Sequence, residues 1–373
     1  MRHRSYRFSI VLLSVVLGIA LVGCADDAGT TTTAGDGATT TEAPATTEAP
    51  ATTEAPATTE AMVELTEVTM AVPNSACFTY LPMYVAMEYG YFAEEGLEIN
   101  VEAVDGSSAV IQALVAGNAD FGIPSPTLVM VSNERGEEMT TFYNVKPGGS
   151  FGLIVEADSG IDTPEDLTGQ VIGISTADGS EVSFANAIFE SVGMTEGEDF
   201  EYLVVGDGGP AVAGFTRGDI VAYASAYSDT AVITQAGLTM KDITPADVRA
   251  YFFGNGFTTM KATMDAHPEW ITAMGRGMAR GSELTWSDDG TIAVDVCGIV
   301  SPSEVEDREF ALALVGVYEQ PFAPLGSDPW GYFDPASWQT QMEVAVATGA
   351  LEGPLPQLEG VAFTNEFNDS FQP

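Results

Sequence analysis

The chain has 373 residues, and its 54 acidic side chains against 12 basic ones give a formal charge of −42 at pH 7. Nucleic acid and anionic lipid surfaces repel such a polypeptide, so neither is expected as a partner. Two histidines and three cysteines, with no CxxC pair, offer no ligand cluster, and neither a metal nor an organic cofactor is expected.

Arg2, Arg4 and Arg7 form a short positive region, and Ile10 to Val22 is almost wholly apolar. That run is too short to span a bilayer comfortably and has the length of a signal-peptide core. It ends in Leu21-Val22-Gly23-Cys24, which resembles the bacterial lipobox, where the cysteine is lipidated and becomes the new N-terminus. The resemblance implies a lipoprotein signal peptide over 1–23, lipid on Cys24, and an exported chain anchored to the extracytoplasmic face of the cell membrane. Several acyl chains each add burial of about 0.8 kcal/mol per CH2. Residues 24–62 then read as a tether. Thr, Ala, Pro, Glu and Gly dominate it, a TTEAPA hexad repeats from Thr40, and nothing large and apolar precedes Met62. Such a segment cannot offset its ordering entropy and is expected to be disordered.

The remaining stretch of about 310 residues is too long for one simple core and suits two lobes. Glu67 to Val72 reads as a strand closed by Pro73-Asn74-Ser75. Leu81 to Glu94 has helical periodicity, with Gly96 as its stop. A strand over Leu97–Glu102 follows, then a helix capped by Ser107 and Ser108 that runs to Val115 or Ala116. Asp120–Ile123 is a short buried strand, Thr127–Asn133 a helix, and Thr140–Val145 another strand.

A second set of elements begins with a strand over Phe151–Glu156. Thr163-Pro164 starts a helical turn with a threonine cap and proline at its first position. Val171–Ser175 is a buried strand, Ser180–Val192 a helix and Phe200–Val205 a strand, and Ile220–Tyr227 is strand-like. Gly206-Asp207-Gly208-Gly209-Pro210 lacks the Lys-Ser/Thr of a phosphate loop and reads as a strand-to-helix turn brushing a ligand. Near Val248–Met260 the chain returns to the first lobe. Beyond Pro268 only helices are expected, around 268–284, 308–319 and 335–348. Alternating strands and helices mean an α/β fold with mostly parallel sheets.

Three motifs sharpen this. Ala86-Met87-Glu88-Tyr89-Gly90-Tyr91-Phe92-Ala93-Glu94-Glu95-Gly96-Leu97 is followed by Leu114-Val115-Ala116-Gly117-Asn118-Ala119-Asp120-Phe121-Gly122. Leu167-Thr168-Gly169-Gln170-Val171-Ile172-Gly173 comes third. In order and spacing they resemble the sulfonate/nitrate/thiamine-pyrimidine-precursor class of periplasmic solute-binding proteins, over about residues 66 to 260. A later Gly-x-x-Asp-Ala step of that class departs here, with Val221 where aspartate is usual.

The resemblance implies the type II periplasmic-binding fold: two lobes, each a mostly parallel sheet flanked by helices, joined by two hinge crossovers. Lobe 1 would be 63–147 plus 255–373, and lobe 2 would be 148–254. It also implies a monomer that carries a small solute to the permease of an ABC importer. In open α/β sheets ligands bind beyond the carboxyl ends of strands, near helix N-termini. The expected lining is therefore Ser75, Thr79 and Tyr80 after the first strand, Ser107 and Ser108 after the second, and Ser125 and Thr127 after the third. Asn144 lies at the first crossing. Thr176, Asp178, Gly179, Ser180 and Glu181, with Tyr227 and Ser228, come from the second lobe. Several of these residues equally suit helix caps or turns, and Tyr80 equally suits a core.

No arginine or lysine stands among these positions, and Lys146 is the one base near a crossing. Tyr80, Tyr143 and Tyr227 suit stacking on a flat solute, and Asp178 and Glu181 tolerate a cationic one. The expected ligand is a neutral or weakly basic heterocycle such as a pyrimidine or vitamin precursor. Sulfonate, nitrate and bicarbonate are the alternatives. Two other classes stay open: a surface sensor or adhesin, and a pyrimidine-synthesising enzyme, whose cysteine-rich run is missing here. Cys77 and Cys297 suit either a disulfide or two buried thiols in an exported chain, and His267, ahead of Pro268, reads as a helix-start residue rather than a ligand.

Overall fold

The computed structural model describes residues 65–373, so the leader, Cys24 and the tether lie outside the described residues. The first part of the fold runs β1 (Thr66–Val72), α1 (Leu81–Glu88), α2 (Tyr91–Glu94), β2 (Leu97–Ala103), α3 (Gly106–Val115), β3 (Phe121–Gly122), α4 (Pro126–Glu134) and β4 (Met139–Asn144). The chain then crosses to β5 (Phe151–Glu156), β6 (Val171–Ile174), α5 (Ser180–Ser191), β7 (Glu201–Val204), α6 (Gly209–Arg217), β8 (Ala222–Ala226), α7 (Tyr227–Gln235), β9 (Met240–Asp242) and α8 (Ala246–Tyr251). It crosses back into β10 (Gly256–Met260), and α9 (Lys261–Ala266), α10 (Pro268–Thr285), α11 (Thr291–Val300), α12 (Arg308–Phe322) and α13 (Pro335–Ala347) complete it.

Two five-stranded sheets result, ordered β2-β1-β3-β10-β4 and β7-β6-β8-β5-β9. In each, four strands run one way and one runs against them: β10 opposes β3 and β4, and β5 opposes β8 and β9. The sheets are thus mixed, and the reason is topological. The opposed strands are the two that arrive directly from a crossover, so they enter their sheet at the end where the others leave it. This is the two-lobed type II periplasmic-binding architecture.

The motif residues have local physical causes. Gly90 has φ +77°, a left-handed conformation open to glycine, and it divides the expected continuous helix into α1 and α2. The Asp120 carboxylate accepts from the Thr69 N–H at 2.8 Å, joining the β3 approach to β1. A Cβ on Gly122 would lie 2.5 Å from Val110, so this glycine lets α3 settle on the sheet. The aspartate and the glycine of that motif therefore serve packing.

Two differences from the expected elements matter for the site. Tyr227 begins α7 instead of ending a strand, and α11 lies where no helix was expected. α10 lies close against α1 and α2, where a Cβ on Gly281 would meet the Pro82 carbonyl at 2.3 Å and one on Gly277 the Phe92 ring at 2.3 Å. α10 is thereby held to the first lobe, and α12 is carried to the mouth of the space between the sheets.

Candidate functional site

A cavity of about 680 Å³ lies between the lobes, within the size range of small-molecule sites. One wall is built where β1 ends. Pro73-Asn74-Ser75-Ala76 leads into a 3-10 turn over Phe78–Tyr80, which presents Thr79 and Tyr80 to the cavity. Tyr80 is 2% exposed, and burial holds its hydroxyl well above the ordinary tyrosine range. A disulfide joins Cys77 to Cys297 on α11, the first of the two open cysteine readings. It draws the segment after α11 to the site. There the Glu304 carboxylate accepts from the N–H groups of Cys77 at 2.9 Å and Phe78 at 3.2 Å. The α12 side chain of Tyr318 lies in the same wall, facing the Thr79 and Ser228 hydroxyls, and burial raises its pKa.

The opposite wall carries acids. Glu181, in the first turn of α5, folds back to accept from the Thr176 N–H at 3.0 Å, the Thr176 hydroxyl at 3.1 Å and the Ser175 hydroxyl. A Cβ on Gly179 would sit 2.1 Å from that carboxylate, so glycine there leaves room for the fold-back. Burial raises the Glu181 pKa despite these donors. Asp229, 7% exposed at the start of α7, accepts from the Gly208 N–H at 3.0 Å and the Tyr223 hydroxyl at 3.3 Å. Burial first, and then the Asp207 charge, push its carboxyl up to about 7. Asp207 opens to the cavity itself, and the enclosing walls raise its pKa too.

Of the expected lining, the cavity contains Ser75, Thr79, Tyr80, Ser107, Thr176, Gly179, Ser180, Glu181 and Ser228. Ser180 donates to Asn255 at 2.7 Å, and Asn255 donates to the Ile123 carbonyl at 2.8 Å, so this serine ties α5 to the second crossover. Six positions stand elsewhere. Asp178 accepts from the Ser108 N–H at 3.1 Å, so these two residues engage each other across the lobes. Ser125 is fully buried as the cap of α4, accepting from Leu128. Thr127 faces α5 and α13, and Asn144 donates to the Tyr332 carbonyl on the C-terminal side at 3.1 Å. Tyr227 is turned to Arg249, whose guanidinium donates to its hydroxyl at 2.8 Å. Tyr143, expected to stack on a solute, packs in the core at 5.5 Å from Phe257 and 5.4 Å from Phe371.

Residues outside the expected set also line the cavity, among them Lys146, Asp207, Asp229, Asn255, Glu304 and Tyr318. Lys146 and Asp207 had signals in the sequence, one as the base near a crossing and one as the centre of a glycine-rich turn. Glu304 and Tyr318 had none, because they return from far along the chain. Among the described residues no group of three or more His, Cys, Asp or Glu is spaced to hold a metal ion. None of the described helices is long and apolar enough to cross a membrane.

The arrangement provides flat apolar faces, hydroxyls and acceptors around a partly open cleft, which is equipment for holding a solute. The family model described as "NMT1/THI5 like" matches residues 78–289, more than half of the chain. The riboflavin-binding protein RibY of Chloroflexus aurantiacus is 25% identical over 314 residues, covering 81% of this chain and 86% of that protein. The formylaminopyrimidine-binding protein of Halalkalibacterium halodurans is 23% identical over 305 residues, covering 79% and 88%. The solved structure of the alkanesulfonate-binding protein SsuA from Xanthomonas axonopodis pv. citri, bound to MOPS, superposes with a TM-score of 0.60 at 15% identity. That superposition covers 76% of this chain and 92% of that one.

Proposed function

Because this chain belongs to the NMT1/THI5-like family, we propose that it is an extracytoplasmic solute-binding protein that captures a neutral or weakly basic heterocycle between its lobes. In this reading Cys24 carries the lipid anchor, and the loaded protein delivers its solute to the permease of an ABC importer. The two relatives matched over most of their length bear names of riboflavin- and formylaminopyrimidine-binding proteins, which supports a planar nitrogen heterocycle.

One observation carries the choice against anions. Helix N-termini at a cleft are the ordinary seats for sulfonate or phosphate-like groups, because their N–H groups are free. Here the chain's own carboxylates already engage backbone N–H groups in the walls of the cleft. Glu304 takes those of Cys77 and Phe78, Glu181 that of Thr176, and Asp229 that of Gly208. An anionic solute would meet negative charge where it needs donors. A heterocycle finds the Tyr80 and Tyr318 rings and a wall of acceptors for its N–H edge.

A thermal-shift screen tests this. Riboflavin, formylaminopyrimidine and 4-amino-2-methylpyrimidine form one arm, and methanesulfonate, nitrate and bicarbonate form the other. A bound heterocycle at a hundredfold excess over its dissociation constant stabilises the fold by about 2.7 kcal/mol, and the anions leave the melting temperature unchanged. Stabilisation by the anions alone would assign the site to the anion alternative.

A further inference from the structure

The first crossover leaves β4 through Val145 and Lys146, and both crossovers grip the Lys146 backbone. Its carbonyl accepts from the Gly149 N–H at 3.2 Å and from the Gly254 N–H at 3.0 Å. A Cβ on Gly254 would lie 2.9 Å from the Lys146 Cβ, so the stem is pinned where the two crossovers meet. The side chain lines the cavity yet is only 7% exposed.

Its amine stands 6.0 Å from the ring centre of Tyr80, 5.9 Å from that of Tyr318 and 5.5 Å from that of Phe322. These distances are at the outer edge of cation–π attraction. The rings flank the amine where it meets the cavity and offer it no hydrogen-bond acceptor. Among the described residues its Nζ has no ion-pair or hydrogen-bond partner beyond these ring contacts. A buried donor left in that condition is unfavourable until something accepts from it. Burial accordingly lowers its pKa to about 7.

We infer that Lys146 is the specificity residue that donates to a carbonyl oxygen of the planar solute, an inference that rests on the heterocycle reading above and narrows it. The partner is a neutral oxygen and not an anion, because carboxylates of Glu181, Asp207, Asp229, Glu304, Glu306 and Asp307 line the same cavity. A carbonyl in the plane of a ring lying along Tyr80 reaches the pinned amine edge-on. The ring's N–H groups then face the opposite wall, where Glu181, Asp207 and Asp229 accept.

The test compares wild type with Lys146→Met, which keeps length and suits the aromatic surroundings. Calorimetric titration uses riboflavin and formylaminopyrimidine, which carry carbonyl groups, against 4-amino-2-methylpyrimidine, which has none. The expected result is a variant that melts no lower than wild type. It binds the carbonyl probes about ten- to hundredfold more weakly and the carbonyl-free probe as wild type does. If Lys146→Met binds the carbonyl probes with wild-type affinity, or wild type holds the carbonyl-free probe as tightly as the formylated one, the role of Lys146 is overturned while the heterocycle reading stands. If wild type binds none of the three probes, the heterocycle reading itself fails, and this inference with it.

Discussion

The two walls of the cavity differ in chemistry more than in fold. Both lobes present loops and helix starts from the same kind of sheet. The first wall is aromatic, with Tyr80, Tyr318 and Phe322 around one amine, and its Glu304 carboxylate is engaged with backbone N–H groups. The second holds hydroxyls and the carboxyls of Glu181, Asp207 and Asp229, each with a raised pKa. The formal charge of −42 conceals this asymmetry. In the proposed reading the difference means that recognition is divided: one lobe supplies a stacking face and a donor, and the other supplies acceptors, so a solute needs both lobes to be satisfied.

The comparison is broken most severely by freeing the first wall from its support. Cys77 and Cys297 are 220 residues apart in sequence, and both are fully buried. Replacing both by alanine should cost about 3–5 kcal/mol of stability, read by chemical denaturation, and should loosen the Glu304 segment. An unchanged denaturation midpoint would show that helix packing alone holds that wall. Next in size is Tyr318→Ala. Removing a stacked ring should weaken a bound heterocycle by about 1–3 kcal/mol, or ten- to hundredfold. Titration alongside a melting curve separates this from a core effect, since a purely structural tyrosine would lower the melting temperature and leave the folded fraction's affinity intact.

The second wall is tested by pH. Asp229 has a folded pKa of about 7 against an ordinary value of 3.8. The folded state therefore holds its proton more tightly than the unfolded state does. The resulting stability is present below about pH 4 and is lost as pH rises through 7. Asp229→Asn removes that loss while retaining an oxygen to accept from Gly208. Relative to wild type, the variant should gain melting temperature steadily between pH 4 and 7, by a few degrees, and level off above. A constant offset across that window would mean that the buried carboxyl is not the titrating group. Lys146 has the opposite sign: its folded pKa of about 7 lies below the ordinary 10.5, so its contribution rises as pH goes from 7 toward 10.5.

Much of the fold was legible because its signals are local. Alternation, helix periodicity, the proline at the first position after Thr163 and the Ala86–Leu97 motif all act within one or two turns of the chain. The expected positions that line the cavity, such as Thr79, Tyr80, Thr176 and Glu181, follow strand ends, where an α/β sheet opens its cleft by construction. The same rule also named Ser125, Asn144 and Tyr227, which stand outside that lining. It marks which loops approach a cleft, but it does not say which way each side chain turns once α4, the Gly331–Tyr332 segment and Arg249 have packed against it.

By itself, then, the sequence determined the α/β class, the two sheets with their crossovers, the strand ends that approach one cleft, and Lys146 as the base beside it. Only the tertiary structure decided what occupies the donors of that cleft and what completes its first wall. Glu304 reaches Cys77 across 227 residues and Asp178 reaches Ser108 across 70. Tyr318 arrives on α12, whose own periodicity reports a buried face and not the neighbour it will bury against. Local patterns record which side of an element avoids water. Which distant carboxylate or ring meets that side is set by closure of the whole chain, where one choice of partner satisfies burial and hydrogen bonding together.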